Sequence, residues 1–94
     1  MKFVQHIWFK TSKEAEVIAL MKSTEEMDMI GEPDGWLLRD RDNPGTYVAS
    51  VVFDSADDAM KNNDLPATQE FAAKMAALCD APPKFANYDL ILED

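Results

Sequence analysis

The residue with the widest chemical reach in this sequence is His6, the chain's single histidine, set in the run FVQHIWFK with Trp8 two positions on. A neutral imidazole titrates near pH 6.5 in water, so it can take a proton from a bound molecule as a general base. In an extended segment, residues two apart share a face, and Trp8 would then stand beside His6 as an aromatic wall. A histidine on a strand covered on both faces has a structural reading too, as a hydrogen-bonded filler at a core edge or subunit seam. Of the two, the structural reading is the simpler. Trp36, Tyr47 and Tyr88 each pair a large ring with one polar handle, which suits a pocket wall and equally a core or interface anchor. The amide of Asn62 could line a pocket; with Asn63 it also competes for backbone hydrogen bonds and so breaks helices.

Other chemistries are poorly supplied. DRDNPG, from Asp40, has the outline of a calcium loop, but its fifth position is Pro44 and its twelfth is Val51, where a bidentate Glu belongs. It reads as a turn. Asp54, Asp57 and Asp58 read as acids at a helix start, favoured by the helix dipole. One His and one Cys are too few soft ligands for a zinc or redox-metal site, so no metal is expected. Cys79 falls on an apolar helical face, where a thiol serves as a small hydrophobe. Gly31, Gly35 and Gly45 all read as turn glycines, and no phosphate-binding glycine loop is present.

Ninety-four residues point to a single domain spanning 1–94. With 47% hydrophobic and 29% charged residues the composition is globular, not disordered. Eighteen acids against nine scattered bases give a net charge of −9, which opposes nucleic acid and anionic membrane surfaces. No apolar run approaches the ~20 residues that span a bilayer. The start of the chain lacks a signal-peptide pattern, and a lone cysteine cannot form an internal disulfide. A cytoplasmic protein is expected.

These residues need elements to position them. FVQHIWFK is a strand, with Phe3, Gln5, Ile7 and Phe9 on one side and Val4, His6 and Trp8 on the other. Thr11-x-x-Glu14 fits a capping box opening a helix from about Ser12 to the mid-twenties, with Val17, Ile18, Leu20 and Met21 on its apolar side. GEPDGW, Gly31 to Trp36, ends the connection. WLLRD and TYVASVVFD then form a hairpin around the Asn-Pro-Gly turn of RDNPG. Ser55-x-x-Asp58 caps a short helix, NNDLP interrupts it, and Pro66 sits in the first turn of the next helix. That helix runs from Ala67 to Cys79, with Phe71, Ala72, Met75, Leu78 and Cys79 inward and a Glu70–Lys74 pair outside. Met21, Met60 and Met75 fall at core positions. KFANYDLILED is the last strand.

The order β-α-β-β-α-β is the α+β, ferredoxin-like arrangement of an antiparallel sheet with helices on one face. The second face of such a sheet meets water and ought to be polar. Here both strand faces are apolar, and the simplest remedy is a twofold homodimer, sheet on sheet.

This order, with that second face, resembles the dimeric α+β barrel superfamily, and within it the antibiotic-biosynthesis-monooxygenase-like proteins. The likeness rests on KFVQHIWFK, on the LLRDRDNPGTYV hairpin, and on VVFDSADDAM leading into a broken second helix, with FDSADDA the most family-like run. It covers essentially the whole chain. The group holds oxygenases that oxidise polycyclic phenols without metal or flavin, quinol-type monooxygenases, haem-degrading enzymes and proteins of no assigned activity, so fold alone does not choose. Haem degradation there uses an Asn on the first strand, a Trp, and an axial His in the second helical region. This chain offers His6 or Gln5 on the strand, Thr68 and Gln69 in the helical region, and no later histidine, so that ligation fails. The resemblance then implies oxidation of a phenolic or quinol-like small molecule with no bound cofactor, in an apolar pocket between helices and sheet. His6 would be the base that deprotonates the substrate, Trp8 and Trp36 the walls, with Tyr47, Asn62 and Tyr88 completing the set. A second reading, of another class, is a non-catalytic dimeric module that binds a small hydrophobic molecule or a protein partner.

Overall fold

Apolar side chains on both parities of FVQHIWFK and TYVASVVF suit these two runs to the centre of the sheet. A computed structural model describes residues 1–23 and 33–93 of the chain. The elements are β1 (Phe3–Lys10), α1 (Glu14–Lys22), β2 (Asp34–Arg39), β3 (Thr46–Phe53), α2 (Ala56–Asn63), α3 (Pro66–Leu78) and β4 (Lys84–Asp89). The sheet order is β2-β3-β1-β4 with every neighbour antiparallel. The expected α+β, ferredoxin-like architecture is present.

Register decides which side chains go under the helices. Phe9 lies opposite Tyr47, Ile7 opposite Ala49, and Leu37 of β2 opposite Ala49 in turn. These residues meet Val17, Leu20 and Met21 of α1 and Phe71, Met75 and Leu78 of α3 in one cluster. Phe9 and Tyr47 stack with ring centroids 5.5 Å apart. The other parity of each strand, Val4, His6 and Trp8 first among them, lies on the face without helices.

Local chemistry sets the element ends, though not always as expected. The Ser55 side chain accepts a hydrogen bond from the Asp58 amide at 3.1 Å, the expected N-cap. Ser55→Ala is expected to cost about 1 kcal/mol, read as a lower urea midpoint at unchanged slope. Thr11, by contrast, forms no capping box. Its hydroxyl, buried at the end of β1, donates to the Leu78 carbonyl at 2.6 Å and accepts from the Lys13 amide at 3.0 Å. It therefore satisfies a carbonyl at the C-terminus of α3, one of the groups a helix end leaves without a partner. The N-cap of α1 is Lys13, without a side-chain cap. Glu14, freed from capping, reaches Arg39 instead.

Asn62 and Asn63 belong to the last turn of α2, so the break falls after them. Leu65, as the residue before Pro66, is held extended (φ −70°, ψ 134°), and α3 restarts with Pro at its first position. Glu70 and Lys74 pair at 3.2 Å as expected. Three sequence expectations need correction. Met60 is 65% exposed and not in the core, and Ala72 also faces outward. Gly35 lies inside β2, opposite Val51, and is not a turn glycine. Only Gly45, with φ 84°, uses its conformational freedom among the described residues, in the β2–β3 turn. The expected continuation of α1 to the mid-twenties, past Ser23, and the Gly31–Glu32 start of GEPDGW lie outside the described residues.

Candidate functional site

The sheet separates the six candidate residues. His6, Trp8, Trp36 and Tyr88 all occupy the helix-free face, since His6 pairs across with Ser50 and Ala86, Val4 with Tyr88, and Trp36 with Ser50. Tyr47 faces the helices, and Asn62 sits in α2, 1% exposed. The expected single pocket between helices and sheet, with His6 as base and Trp8 and Trp36 as walls, is thus corrected. A strand turns successive side chains to opposite faces, so even-numbered His6 and Trp8 cannot share a cavity with odd-numbered Phe9 and its partner Tyr47.

On the helix-free face, His6 is the centre of an aromatic row. Its ring meets Trp8 edge-on at 5.5 Å and Tyr88 at 5.1 Å. Trp8, Lys84, Ala86 and Tyr88 line an open groove of about 420 Å³ there. Around it the surface is apolar: Trp36 is 55% exposed and Leu38 50%, beside Val4, Val48 and Val52.

On the helix side, Glu14, Ile18, Leu37, Arg39 and Tyr47 border a smaller cavity of about 250 Å³. Arg39 donates from Nε to the Glu14 carboxylate, and the Tyr47 side chain borders the same cavity. The hydrogen bond from Arg39 holds the Glu14 carboxyl below its usual range, and the same bond raises Arg39. Toward the other edge of that side, Gln5 donates to the Asn87 side chain at 3.3 Å across β1 and β4. The Thr68 hydroxyl oxygen, on the first turns of α3, is buried without a hydrogen-bond partner. Sequence reading missed the Glu14–Arg39–Tyr47 group because Thr11-x-x-Glu14 offered a local partner for Glu14. Only the pairing of Arg39 with Tyr47 in the hairpin register could have signalled it.

Remaining candidates keep structural roles. Asp40 accepts from the Asp42 and Asn43 amides and from the Asn43 side chain, which hold its carboxyl below the usual range and close the turn. Burial pushes the Cys79 thiol up, and it donates to the Met75 carbonyl at 3.2 Å, the behaviour of a packed thiol and not of a nucleophile. Among the described residues no group of three or more His, Cys, Asp or Glu is placed to hold a metal ion. Nor is any helix there long and apolar enough to cross a membrane.

Comparison with family models and with curated proteins returns no match. Solved structures do match. SnoaB, a cofactor-independent oxygenase from Streptomyces nogalater, superposes in an asparagine-to-alanine variant with a TM-score of 0.84 at 20% identity, over 98% of this chain and 95% of that one. A protein from Chloroflexus aurantiacus, provisionally named an antibiotic biosynthesis monooxygenase, gives 0.77 at 14% identity over 100% and 97%. A conserved protein from Methanosarcina mazei gives 0.80 at 14% over 94% and 91%. The chain therefore has the ferredoxin-like fold of the antibiotic-biosynthesis-monooxygenase-like proteins, and the resemblance read from its sequence holds at the level of the fold.

Proposed function

We propose that this chain is a homodimeric, monooxygenase-like protein that oxidises a phenolic or quinol-like small molecule with molecular oxygen and without a bound cofactor. The observation carrying this reading is the near full-length likeness to SnoaB, a cofactor-independent oxygenase. The site favoured is on the helix side, around α2 and α3, where the Asn62 amide and the Thr68 hydroxyl are polar groups withdrawn from water. There a side-chain amide would donate to the oxygen of a phenolate that has given its proton to water; the anion passes an electron to molecular oxygen, one oxygen atom enters the product as a quinone carbonyl and the other leaves as water. His6 lies across the sheet from that region and serves as base only for a substrate held in the groove beside Trp8 and Tyr88.

The apolar helix-free face, with Trp36 and Leu38 half exposed, supports the homodimer in this reading. The chain exposes 6658 Å², against roughly 5,500 Å² for a compact monomer of its mass. Four strands ~4.8 Å apart, each rising ~3.3 Å per residue, offer a face of several hundred Å², the order of the ~800 Å² each partner contributes to a stable interface.

A quinol panel followed by oxygen uptake and product mass tests the activity. Asn62→Ala is expected to lower turnover by about 100-fold while circular dichroism stays unchanged. Turnover equal to the parent's removes Asn62 from the mechanism. A second reading, the non-catalytic binding module, is favoured by one observation: Glu14 and Arg39, the charged groups of the helix-side cavity, are engaged with each other. Binding of a panel member with no oxygen consumed would establish that reading in place of the first.

A further inference from the structure

We propose that His6 makes the pairing of two copies proton-dependent, so that the dimer holds near neutral pH and loosens on mild acidification. This rests on the dimer reading above and adds a control to it. His6 stands on β1, an inner strand, in the middle of the face the second copy would cover. Its neighbours are the rings of Trp8 and Tyr88 and the side chains of Ser50 and Ala86. Neutral imidazole packs well against such groups. An imidazolium enclosed there would lose its water, and among the described residues the carboxylate on that face nearest to β1 is Asp34, on the far edge strand.

The charges facing that position deepen the effect. From β1 itself comes Lys10, from β4 Lys84 beside the phenol of Tyr88, and from β3 no titratable group. Asp34 is on the far edge strand, opposite Val52. Lys2, beyond the start of β1, is paired with Glu93 at 3.3 Å. Twofold symmetry brings the same set from the partner, so two histidines must stay neutral in each dimer. Excluding two protons makes dissociation easier on acidification, by up to tenfold per pH unit for each histidine. The overall charge acts in the opposite sense. A chain of net charge −9 repels its copy less as carboxylates protonate, so general electrostatics would tighten the dimer in acid. Acid weakening therefore singles out a local group.

Sedimentation of the whole chain at pH 7.5, 6.5 and 5.5, with circular dichroism at each pH, tests the inference beside His6→Gln and His6→Asn. Expected is a dissociation constant rising by 30- to 100-fold for the parent and by less than 3-fold for both variants. A dimer whose affinity ignores pH, or one whose variants loosen in parallel with the parent, overturns the role of His6 and leaves the dimer standing. A single copy at pH 7.5 and micromolar concentration overturns the dimer reading itself. Should neither variant fold, the ring-proton signal of His6 in the parent decides: protonation in step with dissociation supports the proposal, and protonation within an intact dimer ends it.

Discussion

Trp36→Asp is expected to turn the dimer into a folded monomer, raising the dissociation constant by at least 100-fold in sedimentation velocity. Trp36 is 55% exposed in the single chain, so its removal there costs little packing. In a sheet-on-sheet pair, however, the same position loses a large aromatic contact and gains an anion with no partner, and symmetry repeats the defect twice. A buried charge left unpaired costs several kcal/mol, and each 1.4 kcal/mol is a factor of ten in affinity. Circular dichroism and the emission of the remaining Trp8 would report whether the fold persists. A Trp36→Asp chain as dimeric as its parent would mean that the copies meet through some other surface. The helix-free face would then need a different explanation for its apolar cover.

Phe9→Ala is expected to destabilise the chain by about 3–5 kcal/mol, the range for emptying a large aromatic from a packed core. Phe9 is 3% exposed and lies under the stacked ring of Tyr47, with Val17, Ala49 and Met75 completing its surroundings. Few side chains in this small core could move to fill the space. In a domain near 100 residues, each kcal/mol shifts the melting temperature by roughly 4–8 °C, so a loss above ~12 °C is expected. Phe85→Ala is the matched control. Its ring is 58% exposed on edge strand β4 and its removal is expected to cost less than about 1 kcal/mol. Equal effects at the two positions would contradict the burial that separates them.

The two tests address the two faces of one sheet, and their difference explains where function can reside. On one face the helices close off the central side chains, Phe9 and Tyr47 among them, while polar pairs such as Glu14–Arg39 stay near its rim. On the other the side chains wait for a partner. His6 lies on the helix-free face, across the sheet from Asn62 and Thr68, so a substrate held on one side cannot use both.

Much of this was determined by the sequence alone. Short runs apolar on both parities marked strands β1 and β3, Ser55 and Pro66 set the helix starts, and RDNPG set the hairpin turn, because each acts over a few bonds. The apolar character of both faces could be read from period-two alternation, and with it the expectation of pairing. What only the tertiary structure decided was the partnership of residues far apart in the chain. Which strand parity faces the helices depends on where the helices pack, so sequence spacing alone did not show that His6 and Trp8 are parted from Tyr47 and Asn62. Thr11 and Glu14 show the same limit: three residues apart, they satisfy a local capping pattern, yet Leu78 and Arg39 claim them. A tertiary hydrogen bond that satisfies a buried helix end outweighs an exposed local cap, and nothing within the local pattern reveals that competitor.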